Sequence, residues 1–337
     1  MLKRLLIFFL LLDAGLSFAQ SYSWYKMMGA PGAEDITIDT TTGTVFISCD
    51  DRRCRFKKHS NNCLGEIFAL QAQDTIPKIL PLALKFSQEH PFHPHGIAFK
   101  RWDSESATLA VINHRSKKQT TIEVFDYKNK QLIHKQTLEN STFLRSPNDI
   151  TIAGKNTFLI TNDHYSTKSF GQLWEGIWHC RKANVVIYHQ GEFQVLIPKL
   201  LYPNGITLDS SGKYLFVSLV QDKCIRVYSR NPKTQEVVFE KDIRLGTSPD
   251  NIEWDSFGNL WVACHPKPFK FIQHAYFNKT SPSQILKIEG IEGRVQEIYY
   301  DSGNFVSGAS TAAPWKHKLF IGTVFEPFFL IGNTTKP

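Results

Sequence analysis

The chain has 337 residues, of which 42% are hydrophobic and 13% aromatic, and its formal net charge is +8 at pH 7. This hydrophobic fraction can bury a large core, so the composition excludes a disordered protein. The lysines and arginines are spread along the chain apart from the stretch DDRRCRFKK, which predicts no nucleic-acid partner. The charge instead indicates a solvated basic surface, compatible with weak peripheral association with an anionic membrane or lipid particle.

The amino terminus has the order of a secretory signal. The basic residues Lys3 and Arg4 precede an apolar run that ends at Leu12, and small residues lead up to Ala19. This order predicts a signal peptide over residues 1–19, cleaved after Ala19, and one mature domain over residues 20–337. The apolar run is shorter than the about 20 residues that span a bilayer, so the alternative is a retained interfacial anchor. The protein is therefore predicted to be secreted, to the periplasm or to the extracellular space.

A strand, turn and strand pattern recurs six times along the remaining chain. The six segments are GAEDITIDTTTGTVFIS, HPHGIAFKRWDSESATLAVIN, SPNDITIAGKNTFLITND, YPNGITLDSSGKYLFVS, SPDNIEWDSFGNLWVAC and, more weakly, VSGASTAAPWKHKLFIGTV. Their equivalent positions are separated by 61, 53, 56, 46 and 57 residues and are Glu34, His95, Asn148, Asn204, Asp250 and Ser307. A repeat of this length indicates a solenoid, a propeller or an array.

Each repeat has room for two further strands, which are supplied by segments such as GEIFALQ, TTIEVFDYK, NVVIYHQ, CIRVYSR and SQILKIE. Four strands of about 5 to 6 residues with their turns make one propeller blade. The fold is therefore predicted to be all-β, a six-bladed β-propeller around a central channel. The last repeat lacks a fourth strand, so the N-terminal segment SYSWYKMM is predicted to complete the sixth blade and close the ring.

Six cysteines in an exported chain permit disulfides. Cys54 and Cys63 could close a short polar loop, although spacing leaves both the bridge and two free thiols open. The other four mostly border apolar strands, which favours buried thiols: Cys49, Cys180, Cys224 and Cys264. Three glycosylation triplets would be used only by a host that modifies secreted proteins, at Asn140, Asn278 and Asn333.

Polar residues begin the inner strands of the predicted blades, and these strands meet at one mouth of the channel. The carboxylates among them have no arginine or lysine in their motifs, so a bound cation would relieve their repulsion. Carboxylate and amide oxygens suit Ca²⁺, which takes 6 to 8 oxygen ligands. The alternative is a set of unrelated turn residues, which would not explain their equivalent positions. The converging residues are Glu34, Asp35, Asn148, Asn204, Asp149, Asp250 and Asn251.

Histidines accompany the second repeat. His95 takes the anchor position in HPHGIAF, and His114 follows the next apolar strand. If these strands are neighbours, one imidazole could act as a base while the other orients it. The alternative is a zinc site made of His90, His93 and His95, although two of these precede the strand in a loop. The sequence contains no nucleophile elbow, zinc helix, Walker loop or dinucleotide fingerprint.

Taken together, the segments GAEDITI, HPHGIA, VINH, PNDI, TNDHY, NGITLDSSGKYLFV, DNIEWDSFGNLWVACHP and LFIGTVF resemble the paraoxonase/arylesterase family of calcium-dependent lactonases. The resemblance implies hydrolysis of small-molecule lactones and aryl esters. It implies a catalytic calcium at Glu34, Asn148, Asn204, Asp250 and Asn251. It also implies a structural calcium at Asp35, Asp149 and the backbone carbonyl of Ile97. The same resemblance implies a catalytic dyad of His95 and His114. It also implies that His164 and His265 lie near the channel.

The chain departs from the family in two places. Mammalian members join their termini by a disulfide, whereas this chain has no cysteine before Cys49 or after Cys264, so strand pairing must close the ring. The loop over the mouth, CDDRRCRFKKHSNNCLG, has Arg52 and Arg53 where an aromatic residue is expected. The substrate preference of this chain is therefore left open.

The implied mechanism has calcium polarising the carbonyl, His95 deprotonating water and His114 orienting His95. Asp250 as base or nucleophile is the alternative within this mechanism. Two other functions stay open: a gluconolactonase-like sugar lactonase, and a non-catalytic secreted propeller that binds a protein or lipid partner. The second acidic pair, Asp35 and Asp149, argues against the sugar lactonase by predicting a second calcium.

Overall fold

The computed structural model describes residues 22–58, 63, 65–82, 84–85, 91–116 and 119–334. The predicted signal peptide lies outside these residues. The described strands, in chain order, are β1 (Tyr22–Met28), β2 (Ala33–Asp39), β3 (Thr44–Cys49), β4 (Glu66–Gln71), β5 (Leu80–Pro81), β6 (Leu84–Lys85), β7 (Pro94–Arg101), β8 (Ala107–Ser116), β9 (Gln119–Lys128), β10 (Gln131–Leu138), β11 (Pro147–Gly154), β12 (Thr157–Asn162), β13 (Ala183–His189), β14 (Glu192–Leu200), β15 (Pro203–Leu208), β16 (Tyr214–Leu219), β17 (Cys224–Arg230), β18 (Val237–Arg244), β19 (Ser248–Trp254), β20 (Asn259–His265), β21 (Ser283–Glu289), β22 (Arg294–Asp301), β23 (Ala309–Trp315), β24 (Lys318–Thr323) and β25 (Phe328–Thr334). The described helices are α1 (Arg52–Lys58), α2 (Ser169–Ile177) and α3 (Pro268–Phe277).

The strands form six sheets that are the blades of a propeller, as the repeat predicts. The blades are β2–β5, β7–β10 with β6 added at the outer edge, β11–β14, β15–β18, β19–β22, and β23–β25 with β1. The inner strands contact one another in the order β2, β7, β11, β15, β19 and β23, and β23 contacts β2. The ring is therefore closed around a channel, in which a cavity of about 720 Å³ lies between the inner strands.

The second strands of the blades carry most of the core. Every residue of β3, β12 and β24 is buried, because these strands lie between inner and outer neighbours and both of their faces pack against adjacent blades. Six apolar clusters fill the spaces between the blades. The continuous apolar runs that followed each predicted turn are therefore buried strands.

The N-terminal strand closes the ring, as predicted. β1 pairs antiparallel with β25 from Tyr22 opposite Thr334 to Met28 opposite Phe328. Trp24 on β1 packs on Tyr299 of the fifth blade, with ring centroids 4.7 Å apart. Seven residue pairs and this aromatic contact hold the ends together without a disulfide between the termini.

Candidate functional site

The six inner strands begin at one mouth of the channel, and each has a β-bulge at its start. The pairing register shifts between Ala33 and Asp35 in β2, and between Pro147 and Ile150 in β11. Equivalent shifts occur at the starts of β7, β15, β19 and β23. A bulge leaves residues unpaired and turns their side chains away from the sheet. The repeated polar residues of the first five blades fall at these bulges, which explains why they face the channel. In the sixth blade the bulge falls at Ser310, so the predicted anchor Ser307 was wrong.

Five of the predicted metal ligands converge at this mouth, and we call them the mouth cluster: Glu34, Asn148, Asn204, Asp250 and Asn251. Contacts between blades hold the cluster together. The amide nitrogen of Asn251 in the fifth blade lies 3.3 Å from the Oε1 atom of Glu34 in the first blade. Ser310 of the sixth blade donates to the carbonyl oxygen of Glu34, and Thr161 of the third blade donates to that of Asn204 at 2.6 Å.

Four oxygens of the mouth cluster are buried and have no hydrogen-bond partner among the described residues: Oε2 of Glu34 and the Oδ1 atoms of Asn148, Asn204 and Asn251. Buried polar atoms are normally satisfied, so these four unpartnered oxygens, one from each of four blades, form a set that would suit a cation. The amide orientations follow from their donors, because the nitrogen of Asn148 faces Asp163 at 3.4 Å and leaves its oxygen free.

The charges of the mouth cluster support the same conclusion. Burial raises the pKa of Glu34 to about 8. The Arg52 guanidinium opposes this rise, and the carboxylates of Asp35 and Asp250 add to it. A cation among these oxygens would favour the ionised carboxylate. Within the described part of the chain, histidine, cysteine and carboxylate side chains alone form no group of three that could hold a metal ion.

Asp35 and Asp149, which we call the inner carboxylate pair, occupy the next position of their strands. Asp35 accepts hydrogen bonds from the backbone N–H groups of Ile36 at 2.9 Å and Ile97 at 2.8 Å. Asp149 likewise accepts hydrogen bonds from the backbone N–H groups of Ile150 at 2.7 Å and of Ile206 in β15 at 2.8 Å. Each carboxylate thus ties its own inner strand to the next one. Ile97, predicted to supply a carbonyl ligand, lies directly beside Asp35 through this contact.

Burial also raises the pKa of the inner carboxylate pair, to about 7 for Asp35 and well above the usual range for Asp149, where the charge of Asp35 contributes further. Glycines alternate with these residues around the ring and allow the strands to approach. A Cβ atom at Gly96 would lie 2.5 Å from the carbonyl oxygen of Asn148, and one at Gly205 would lie 2.6 Å from that of Asp250. The glycines of HPHGIA and YPNGIT therefore permit the site geometry.

His95 and His114 lie beside the mouth cluster, with ring centroids 4.9 Å apart and planes at 85°. No hydrogen bond joins them. Nδ1 of His95 accepts from Arg52 at 2.7 Å, and Nδ1 of His114 lies 3.0 Å from the hydroxyl of Thr120. Nε2 of His95 lies 3.5 Å from Oε1 of Glu34, a distance and angle outside a directed hydrogen bond.

Both imidazoles are neutral at pH 7. Burial, followed by the charge of Arg52, lowers the pKa of His95 well below its usual value and that of His114 to about 4. Because Arg52 donates to Nδ1, the proton of neutral His95 lies on Nε2. His95 can therefore accept a proton from water only after this hydrogen bond breaks and its proton moves to Nδ1.

The two described histidines of the alternative zinc site have different partners. Nδ1 of His93 lies 3.0 Å from Asp50, and its backbone N–H donates to Asn113, whereas His95 contacts Arg52 and Glu34. His90 lies outside the described residues.

Other polar residues support the mouth cluster. Nε2 of His265 lies 2.8 Å from Asp250. Asp163 faces Asn148 and lies 2.9 Å from Nδ1 of His164. Burial alone lowers the pKa of His164, but Asp163 outweighs it and the pKa is raised. Asp163 was not identified from the sequence, although it directly follows the second strand of its blade, and His265 ends the second strand of another blade at the same mouth.

The helix α1 covers one side of the mouth because it follows β3, the second strand of the first blade. A disulfide joins Cys54 to Cys63, with their Cα atoms 5.9 Å apart, which confirms the bridge that the spacing left open. The four other cysteines are free thiols. Three of them are buried, as predicted, and Cys180 after α2 is partly exposed. The bridge restrains the segment that carries Arg52 and Arg53.

A sequence model of the Arylesterase family matches residues 28–330. Human serum paraoxonase/arylesterase 1 and human serum paraoxonase/lactonase 3 are each 31% identical to the chain over 305 residues, covering 88% of this chain and 84% of each relative. Among solved structures, a gluconolactonase from Xanthomonas campestris matches with a TM-score of 0.59 at 14% identity, over 94% of this chain and 92% of that one. Identity this low shows a shared fold alone.

Proposed function

The chain belongs to the paraoxonase/arylesterase family and is a hydrolase of esters and lactones, and on that premise we propose that its hydrolysis requires calcium held by the mouth cluster. The observation that carries this proposal is the set of four buried, unpartnered oxygens on Glu34, Asn148, Asn204 and Asn251. These oxygens and Asp250 match the hard, oxygen-rich ligand set that Ca²⁺ prefers. We propose a second, structural calcium at Asp35, Asp149 and the carbonyl of Ile97.

When bound, the ion at the mouth cluster would supply positive charge that polarises the substrate carbonyl and stabilises the developing oxyanion. Side chains of the protein would position the attacking water and accept its proton. His95 would take the proton from the attacking water through Nε2, once released from Arg52, and His114 would pack edge-on against it and limit its rotation. Asp250 is the alternative base, because His265 already holds its carboxylate in place.

Two calcium ions per chain are the expected result of elemental analysis of the purified protein. The reason is that the mouth cluster and the inner carboxylate pair are separate sets of buried oxygen groups. Asp149→Asn should reduce the content to one ion and retain part of the activity, because Asp149 belongs only to the inner pair. Stoichiometric zinc, or no metal at all, would contradict the assignment.

We also propose that the protein is exported, after cleavage following Ala19, and that its mouth docks on an anionic lipid surface. Both α2 and α3 follow second strands, so they lie on the mouth side. Their exposed apolar residues recur at helical spacing: Phe170, Trp174 and Ile177 on α2, with Trp178 directly after it, and Phe269, Ile272, Tyr276 and Phe277 on α3. Such stripes beside basic side chains are typical of interfacial helices. No described helix is long and apolar enough to cross a bilayer.

Phe269→Glu is expected to weaken cosedimentation with phosphatidylserine-containing vesicles several-fold, because it places a charge where the helix would enter the lipid interface. Phe257→Glu is a matched control, since both phenylalanines are 82% exposed, but Phe257 lies in the turn between β19 and β20 at the opposite end of the channel. Equal binding of the two variants would contradict docking through the mouth.

A further inference from the structure

Arg52 is a buried cation at the mouth, and the nearby carboxylates of Glu34 and Asp50 interact with it electrostatically without direct contact. Arg52 is the first residue of α1 and is 7% exposed. The guanidinium donates to Nδ1 of His95 at 2.7 Å and to the carbonyl oxygen of Val324 at 3.5 Å. Among the described residues, no carboxylate lies within ion-pair distance of it. Three of its five N–H groups therefore have no acceptor within that part of the chain.

Several arginines of this protein place a partly buried guanidinium against a carboxylate, although Arg230 is buried with uncharged acceptors alone. Arg226 forms a fork with both oxygens of Asp242, at 2.7 and 2.9 Å. Arg101 does the same with Asp39. Burying a cation is costly unless an anion compensates it, and the planar guanidinium matches a carboxylate in two-point contact. Arg52 has the donors of such a site without the anion.

The neighbouring arginines of α1 are already occupied. Arg55 pairs with Asp50 at 3.1 Å, and Arg53 donates to the carbonyl oxygen of Phe325 at 3.1 Å while lying over its ring. Arg52 is the one of the three that faces the mouth cluster, since His95 alone separates its guanidinium from Glu34. An anionic group in contact with Arg52 would therefore lie about one imidazole away from the mouth cluster.

We propose that Arg52 is a specificity-determining residue that binds a carboxylate on the substrate, so that the enzyme prefers lactones and esters bearing a carboxylate near the scissile group. This inference rests on the proposed site of hydrolysis at the mouth cluster. It accounts for an arginine in the loop region where the resemblance predicts an aromatic residue. It also gives the Arg52 hydrogen bond to His95 a role, because a substrate carboxylate that takes the guanidinium would release Nδ1 of His95.

The test uses two δ-lactones with tails of equal length, one ending in a methyl group and the other in a carboxylate. For the native protein, kcat/KM should be about 10- to 100-fold higher for the carboxylated lactone, the range expected of a charge-assisted two-point contact. Arg52→Met should remove this ratio. Arg52→Lys should leave an intermediate ratio, because lysine keeps the charge without the fork.

Arg53→Met is the matched control, since it removes the same charge from the next residue and should leave the ratio near the native value. If Arg53→Met lowers the ratio as much as Arg52→Met does, the preference arises from the overall positive charge of α1. The inference of a specific contact with Arg52 is then wrong. If Arg52→Met does not fold, inhibition of the native protein decides: a dicarboxylate should inhibit hydrolysis of the neutral lactone at least tenfold more strongly than the monocarboxylate of equal length.

The two proposals fail in different ways. If neither lactone is hydrolysed with calcium present, the proposed site of hydrolysis is wrong. If both are hydrolysed with equal kcat/KM, the site stands and the role of Arg52 is overturned. A purely structural clamp between α1 and Val324 would change the melting temperature and both activities together, leaving the ratio unchanged.

Discussion

Removal of calcium is expected to abolish lactone and aryl-ester hydrolysis and to lower the melting temperature by roughly 8 °C for each ion removed. Losing the charge that stabilises the oxyanion should cost at least about 10² in kcat. An ion at a thousandfold excess over its Kd stabilises the folded state by about 4 kcal/mol, and each kcal/mol shifts the melting temperature of a protein of this size by about 2 °C. Assays and thermal melts with chelator, and after calcium is restored, check both.

The stabilisation by calcium should grow as the pH rises from 5 to 8. In the metal-free protein burial raises the pKa of Glu34 from 4.5 to about 8 and that of Asp35 from 3.8 to about 7. The folded chain then holds protons that the unfolded chain has released. The stability that these two carboxyl groups contribute to the metal-free protein is fully present below about pH 4. It is lost as the pH rises through 7 to 8. Bound calcium favours the ionised carboxylates and removes this loss.

Two variants should separate the roles of the calcium sites. Asp149→Asn should lower the melting temperature most, because metal binding to the native state contributes folding free energy. Asn204→Ala should impair turnover more than stability, since it removes one of the unpartnered oxygens of the mouth cluster. The reverse pattern would mean that the two sites are exchanged.

The pH dependence has its own test. A calcium effect on the melting temperature that is the same at pH 5.5 and pH 8 would contradict the role given to the buried carboxylates.

His95→Gln is expected to lower kcat for lactones by about 10² to 10⁴, the usual contribution of a general base. Glutamine fills a similar volume, but its amide cannot accept the proton from water at neutral pH. Calcium content and melting temperature should stay close to native values, because His95 approaches Glu34 without a directed hydrogen bond. Steady-state kinetics over pH 6 to 9, with elemental analysis and thermal melts, measure these quantities.

His114→Gln is the companion variant and should cost less, since it removes the ring packed edge-on against His95 and leaves the base in place. Aryl esters have better leaving groups and should depend less on the base than lactones do. Misfolding, by contrast, would depress both activities together. Near-normal lactone turnover by His95→Gln would rule out the histidine mechanism, and Asp250, held by His265, would become the base to examine.

The fold was predictable because its signals are local and repeated. The chain repeats alternating strands and turn residues about every fifty-five residues, which is typical of propeller blades. The last repeat is one strand short, so the sixth blade is complete only when the N-terminal strand joins it. The meeting of the polar residues at one mouth was predictable for the same reason, since equivalent residues of a cyclic repeat lie together at one end of the channel. The sequence left the Cys54 to Cys63 bridge open, because spacing does not determine which cysteines approach.

The interactions within the site depend on tertiary structure. The bulges at the starts of the inner strands, which turn Glu34 and Asn148 into the channel, have no sequence signal of their own. Arg52 and His95 are 43 residues apart in the chain, and Arg52 and Val324 are 272 apart, yet the guanidinium contacts both. Contacts between residues so distant in the chain form only when the ring closes. The sequence therefore specifies the polar residues at the starts of the inner strands, whereas the closed ring places the Arg52 guanidinium beside them.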